Sequence, residues 1–120
     1  MDDILGGNSD GSETVDINVS SLRLDAFAKV AFGVTRAKVE ETFYKGDLFI
    51  NGERPSKKSC DLSEGDEIDM IKQINPENHT MVDIRRVQLF KLPDKTTEHG
   101  RFKVKIVKWN NLTVKPHETK

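Results

Sequence analysis

Apolar positions between residues 21 and 52 recur first at helical spacing and then at strand spacing. Leu22, Phe27, Val30 and Ala31 form one stripe of a helix, with Ala26 at its edge. Ser20 or Ser21 is placed to cap that helix, and Gly33 supplies a residue that tolerates positive φ at its end. Thr35 opens a second helix, its hydroxyl set to accept from a first-turn amide. Val39 and Phe43 are four apart and turn one face to the core, with Ala37 or Glu40 nearer the rim. Gly46 stops this helix after Lys45, and Leu48-Phe49-Ile50 reads as a short strand. Asn51-Gly52 follows as a tight hairpin turn, because both residue types accept positive φ.

Past this point the period is two. Gly65-Asp66 is a turn feeding a strand with Ile68 and Met70 on one face and Glu67 and Asp69 on the other. Alternation suggests that the acidic face is a solvated edge and not a metal site. Asn75-Pro76-Glu77-Asn78 breaks the chain. A hairpin follows, in which Val82 and Ile84 alternate in one parity and Val87 and Leu89 in the other, with a bulge expected at Arg85-Arg86. Pro93-Asp94 opens the connection and Gly100 closes it. The last strand sets Phe102, Val104 and Ile106 against Arg101, Lys103 and Lys105, and runs on through Lys108 and Trp109. Phe102 and Trp109 are expected in the core by their alternation. The elements predict an α+β fold: two helices packed on a small antiparallel-rich sheet extended by a C-terminal β-hairpin.

Composition separates the ends from the middle. Residues 1–20 are rich in Gly, Ser, Asn and Asp and read as a flexible acidic arm, although Val15, Ile17 and Val19 alternate as a strand would. The domain is placed at 21–115, with its motifs in 21–72, and a tail at 116–120. At 120 residues the chain holds one modest core. No apolar run approaches the roughly 20 residues of a membrane-spanning helix. Net charge is −1, but residues 1–20 carry five acids and no Lys or Arg, so −1 less −5 leaves +4 for the remainder. Residues 81–120 hold ten Lys/Arg against four Asp/Glu, or +6. Cys60 is the single cysteine, so an intrachain disulfide is excluded. The N-terminus has neither the Arg-rich, acid-poor character of a transit peptide nor the apolar core of a secretory signal.

The sequence offers little for catalysis. His79, His99 and His117 stand apart without zinc-ligand spacing, and Gly6-Gly7 precedes no strand or helix that would make a phosphate loop. No catalytic residue, metal site or cofactor is assigned. Cations are better placed. Arg36 and Lys38 fall in the first turn of the second helix, where the helix dipole already disfavours positive charge. An anion partner such as a phosphate makes sense of them. Arg23 stands at the start of the first helix, and Lys57 and Lys58 follow the hairpin turn.

The ordered set Arg23-Leu24-Asp25, Thr35-Arg36-Ala37-Lys38, Gly46 through Gly52, Lys57-Lys58 and Gly65 through Ile68 resembles the S-four RNA-binding domain, also called the alpha-L fold. The resemblance implies RNA contacts from Arg23, Thr35, Arg36, Lys38, Asn51, Lys57 and Lys58. The basic charge of the C-terminal hairpin adds Arg85, Arg86, Arg101, Lys103, Lys105 and Lys108 as a secondary group of RNA-contact candidates. Phe43-Tyr44 and the segment from Val107 to Leu112 extend it to the C-terminal domain family of mitochondrial transcription rescue factor 1. That family implies a non-catalytic protein of the mitochondrial matrix that binds structured RNA, either rRNA or tRNA. It also implies the mitoribosomal large subunit and a release-factor-like protein as partners, in transcript maintenance and rescue of stalled ribosomes. Val107-Lys108 replaces the family's usual Arg-Arg before the tryptophan. A monomer without membrane contact is expected. Two other classes remain: a protein adaptor that adds a strand of the C-terminal hairpin to a partner sheet, and a guide domain of an RNA-modifying enzyme.

Overall fold

The computed structural model describes residues 11–92 and 101–115. The expected Pro93–Gly100 connection, the tail from 116, Gly6-Gly7, His99 and His117 lie outside the described residues. The elements are β1 (Ser12–Val19), α1 (Leu24–Phe32), α2 (Arg36–Lys45), β2 (Leu48–Ile50), β3 (Glu67–Ile74), β4 (Val82–Lys91) and β5 (Phe102–Val114). All five strands form one antiparallel sheet in the order β1-β5-β4-β3-β2.

Local signals act as expected where their partners are close in sequence. The Thr35 side chain accepts from Lys38 N–H at 3.1 Å, which caps α2. Gly33 and Gly46 take φ of 66° and 79° at the two helix ends, the left-handed region that a Cβ resists. Asn51 and Gly52 both have positive φ, as a tight two-residue turn needs. That turn closes only the Ile50–Glu53 pair before Pro55 leads the chain away, so β2 finds its strand partner in β3 instead.

Residues 12–19 are not an arm. Their alternation is realised as β1, which pairs along its whole length with β5, from Ser12 opposite Trp109 to Val19 opposite Phe102. Val15 and Ile17 pack against the core, and Val19 is buried. Apolar burial on one face outweighs the polar composition of the segment. The flexible-arm reading therefore does not describe residues 12–19, and residues 1–10 lie outside the described residues.

The first helix also starts differently. Its N-cap is Arg23, and Ser21 accepts from the Arg23 N–H instead of capping the helix. Leu24 N–H donates to Cys60 O at 2.8 Å, and Asp25 N–H donates to Lys58 O at 2.9 Å. Ala26 N–H donates to the Asp25 carboxylate at 2.8 Å, and Phe27 N–H closes the first helical turn onto Arg23 O. Carbonyls of a loop more than thirty residues away thus do the work expected of a serine.

Both helices cover one face of the sheet. Leu24, Phe27, Ala28, Ala31, Phe32 and Val39 meet Leu48, Ile68, Met70, Val87, Leu89, Val104 and Ile106 there. The change of parity in β4 is a change of buried face. Val87 and Leu89 point under the helices, whereas Val82 and Ile84 are buried outside that cluster, on the alternate positions. At Arg85-Arg86 the expected bulge belongs to β5. Ile84 faces Leu112 and Arg86 faces Trp109, so the extra residue lies between those two partners. Trp109 thereby shares the face of Arg86, away from the main core, while Phe102 packs against that core as expected.

Candidate nucleic-acid interface

The carboxylate face of β3 is no solvated edge. β3 lies between β4 and β2, and Asp69 is 1% exposed. Arg86 donates Nε and Nη2 to its two oxygens at 2.7 and 3.0 Å, with Glu67 at 3.5 Å. That bidentate bond to Asp69 holds the guanidinium pKa above its ordinary value, against the effect of burial. Arg85 reaches from β4 to the Phe32 carbonyl at the end of α1 at 2.6 Å, with its guanidinium 5.5 Å from the Phe32 ring. Arg85 and Arg86 of the second basic group are thus engaged by the protein itself. Asn51 is likewise engaged: it donates to Asp66, accepts from Glu67 N–H and locks the turn onto β3.

The remaining cations of that group do not form one stripe. Lys103 is exposed, while Lys105 on the same face is paired with Asp16 at 3.1 Å. Lys108 has the opposite parity, across from Glu13. Arg101 lies just ahead of β5 and lines a pocket shared with α1 and α2. The C-terminal hairpin also has little free edge. β4 and β5 are interior strands, and β5 is paired with β1 over residues 102–109. Strand addition to a partner sheet through that stretch is closed off.

Around α2 the picture is different. Arg36, Lys38 and Lys57 are exposed, Arg23 is 48% exposed at its side chain, and Lys58 is half-buried. Two acids tie the group together. Buried Asp25 accepts from Arg36 Nη2 at 2.9 Å and lies 3.4 Å from Arg23 Nη2. Glu40 accepts from Lys58 Nζ at 2.9 Å and lies 3.9 Å from Arg36 Nε. The Glu40 hydrogen bond comes first among the causes that raise the Lys58 pKa, so the ammonium stays charged. Lys58 also stands 5.6 Å from the ring of Tyr44, which is 71% exposed. Among the described residues the Lys38 ammonium makes only an exposed pair with Glu41 at 3.5 Å.

The two helix starts are not equivalent. At α1 the first amides are met by loop carbonyls and by Asp25. The first turn of α2 has no acidic residue, and among the described residues its Arg36 and Ala37 amides make no hydrogen bond. Asp25, Glu40 and Tyr44 were missed as organisers of this surface. Asp25 stood inside the motif, but its role depends on Arg36 arriving from the next helix. Tyr44 could have been found from its position off the Val39–Phe43 stripe.

Among the described residues no group of three His, Cys, Asp or Glu side chains is placed to hold a metal ion. His79 is exposed. Cys60 is half-buried, and burial is the largest cause raising its thiol pKa. No described helix is long and apolar enough to cross a membrane.

Residues 13–116 match the family described as mitochondrial transcription rescue factor 1, C-terminal domain. Two curated proteins named mitochondrial transcription rescue factor 1 are similar over 94 residues. The one from Mus musculus is 39% identical and the one from Homo sapiens 34% identical. Each alignment covers 78% of this chain and 39% of the relative, so the chain spans about two fifths of their length.

Proposed function

The chain belongs to the mitochondrial transcription rescue factor 1 C-terminal domain family, and from that premise we propose that it is a non-catalytic module that grips folded RNA by its phosphates. The family and both relatives carry a mitochondrial name, and this chain is assigned to that organelle. The observation that carries the RNA reading is the start of α2. Two cations and two open amides stand together there, with no acid in the first turn. A helix N-terminus attracts anions and repels side-chain cations, so Arg36 and Lys38 belong there when a phosphate is shared between them. Lys57 and Lys58 extend the same surface from the loop that caps α1. Tyr44 adds an exposed ring beside Lys58.

The module acts by neutralising phosphates on a folded RNA while the amides of α2 orient them. Contacts of this kind read backbone shape and not base identity, as suits duplex-containing RNA. In this reading the helix pair, the Asn51-Gly52 turn and β3 serve as the alpha-L arrangement of the S-four domain. In this reading the RNA is ribosomal or transfer RNA of the matrix. The mitoribosomal large subunit and a release-factor-like protein are the partners, in transcript maintenance and ribosome rescue.

Fluorescence anisotropy with a structured RNA tests the surface. Arg36→Ala combined with Lys57→Ala and Lys58→Ala is expected to weaken binding at least about tenfold while circular dichroism is unchanged. Affinity of the unaltered protein should fall steeply between 50 and 200 mM salt, through counterion release. Equal affinity of the triple variant removes the surface from the mechanism, and a flat salt response removes phosphate contact.

A further inference from the structure

The pocket lined by Arg101 adjoins the interface just described and shares Arg36 with it, while its other lining residues lie outside the sequence motif. Its volume is about 140 Å³. Lys29 comes from α1, Arg36 from the start of α2, and Arg101 from the approach to β5. Asn18 and Ser20 come from the end of β1, and Ala26 adds a small apolar patch. The strand register explains the gathering. Val19 faces Phe102, so the chain leaving β1 at Ser20 meets the chain entering β5 at Arg101.

The wall is chemically one-sided. It carries three cations, a hydroxyl and a carboxamide, and no carboxylate. Arg36 has Asp25 at 2.9 Å, and Glu40 at 3.9 Å offsets it further. Lys29 is exposed and has no ion-pair partner among the described residues. Lys29 thus brings unbalanced positive charge to the concavity, and an entering anion meets it together with the Arg36 and Arg101 guanidinium groups. Guanidinium forks and an ammonium suit tetrahedral oxygens, and neutral Asn and Ser side chains complete such a shell without adding charge. The volume is ample for a phosphate group.

We propose that this pocket binds a single phosphate group. It rests on the RNA reading above when the phosphate is a backbone phosphodiester, and Arg36 then links the α2 surface to the β1–β5 edge. Exposed Lys103 continues that path, since it lies opposite Asn18 on β5.

Amide chemical shifts and affinities in two titrations, with a structured RNA and with inorganic pyrophosphate, test the proposal. Saturable shifts at Ser20, Lys29 and Arg101, abolished by Lys29→Ala or Arg101→Ala, are expected with the RNA. Each substitution should also weaken RNA binding about three- to tenfold and lower the salt slope by about one. If pyrophosphate shifts these amides and RNA does not, the pocket is a site for free phosphates, and the proposal holds with that source. If neither ligand moves them and both variants bind RNA normally, the proposal is overturned. Lys57→Ala with Lys58→Ala separates the two ideas: loss of RNA affinity in that variant with none in Lys29→Ala keeps the α2 surface and rejects the pocket as an RNA site.

Discussion

Asp25 and Asp69 are each 1% exposed and each holds an arginine, yet the two arginines are left in opposite conditions. Arg86 gives two nitrogens to Asp69 and keeps 22% of its side chain exposed. Arg36 gives one nitrogen to Asp25 at close range and keeps 58% exposed. The first pair lies between central strands and is consumed by the fold. The second is anchored at one end and open at the other, so Asp25 positions a cation without retiring it. A count of basic residues treats the two alike; their geometry does not.

The largest expected effect breaks the closed pair. Asp69→Ala leaves a largely buried guanidinium without its bidentate partner and should cost about 3 kcal/mol of stability, read by urea denaturation. Replacing both partners with apolar residues, Asp69→Leu with Arg86→Met, should recover most of that loss, because the desolvated charge is removed with its partner. RNA affinity of either variant, measured where it is folded, should stay within about twofold of normal if the pair is purely architectural.

The open pair should show the reverse profile. Arg36→Ala is expected to lower RNA affinity about tenfold, equivalent to about 1.4 kcal/mol. Its stability should change by no more than about 1 kcal/mol, because Arg23 and the Ala26 amide still satisfy Asp25. A stability loss as large as that of Asp69→Ala would erase the distinction between the two aspartates.

A third buried aspartate gives the smallest effect, confined to acid. Asp83 accepts from Gln73, Asn75 and Thr113 at 2.8–2.9 Å, and these bonds hold its pKa below the ordinary carboxylate value. A lowered folded pKa stabilises above the unfolded value, about 3.9. That contribution is lost as pH falls through the folded value. Asp83→Asn should therefore flatten the fall in melting temperature below about pH 4, leaving RNA binding at neutral pH untouched. An acid limb identical to that of the unaltered protein would mean that Asp83 has no such role.

The three aspartates also mark where sequence reading stops. Caps and turns whose partners lie within a few residues were legible: Thr35, Gly33, Gly46 and the Asn51-Gly52 turn. Asp69 was read as solvated because alternation reports a face but not what covers it; Arg86 comes from another strand. Ser21 looked like a cap because the competing acceptors, Lys58 O and Cys60 O, are brought in by a distant loop. The parity switch at Ile84 and Val87 was visible, yet either a bulge or a change of buried face explains it until the strand partners are known. Among the cations, position along the chain pointed to Arg36 and Lys38 at the start of α2. It gave no means of setting Arg85 and Arg86 apart, since both depend on long-range acceptors.

The pairing of β1 with β5 joins the first described strand to the last. Loop closure on that scale delays folding, because the entropy is lost before the ladder forms. During synthesis β1 emerges long before residues 102–109, and its apolar positions wait without a partner. The folding unit is consequently the whole sheet and not the motif-bearing stretch 21–72. Cutting after that stretch would remove β4 and β5, and with them the floor on which both helices rest.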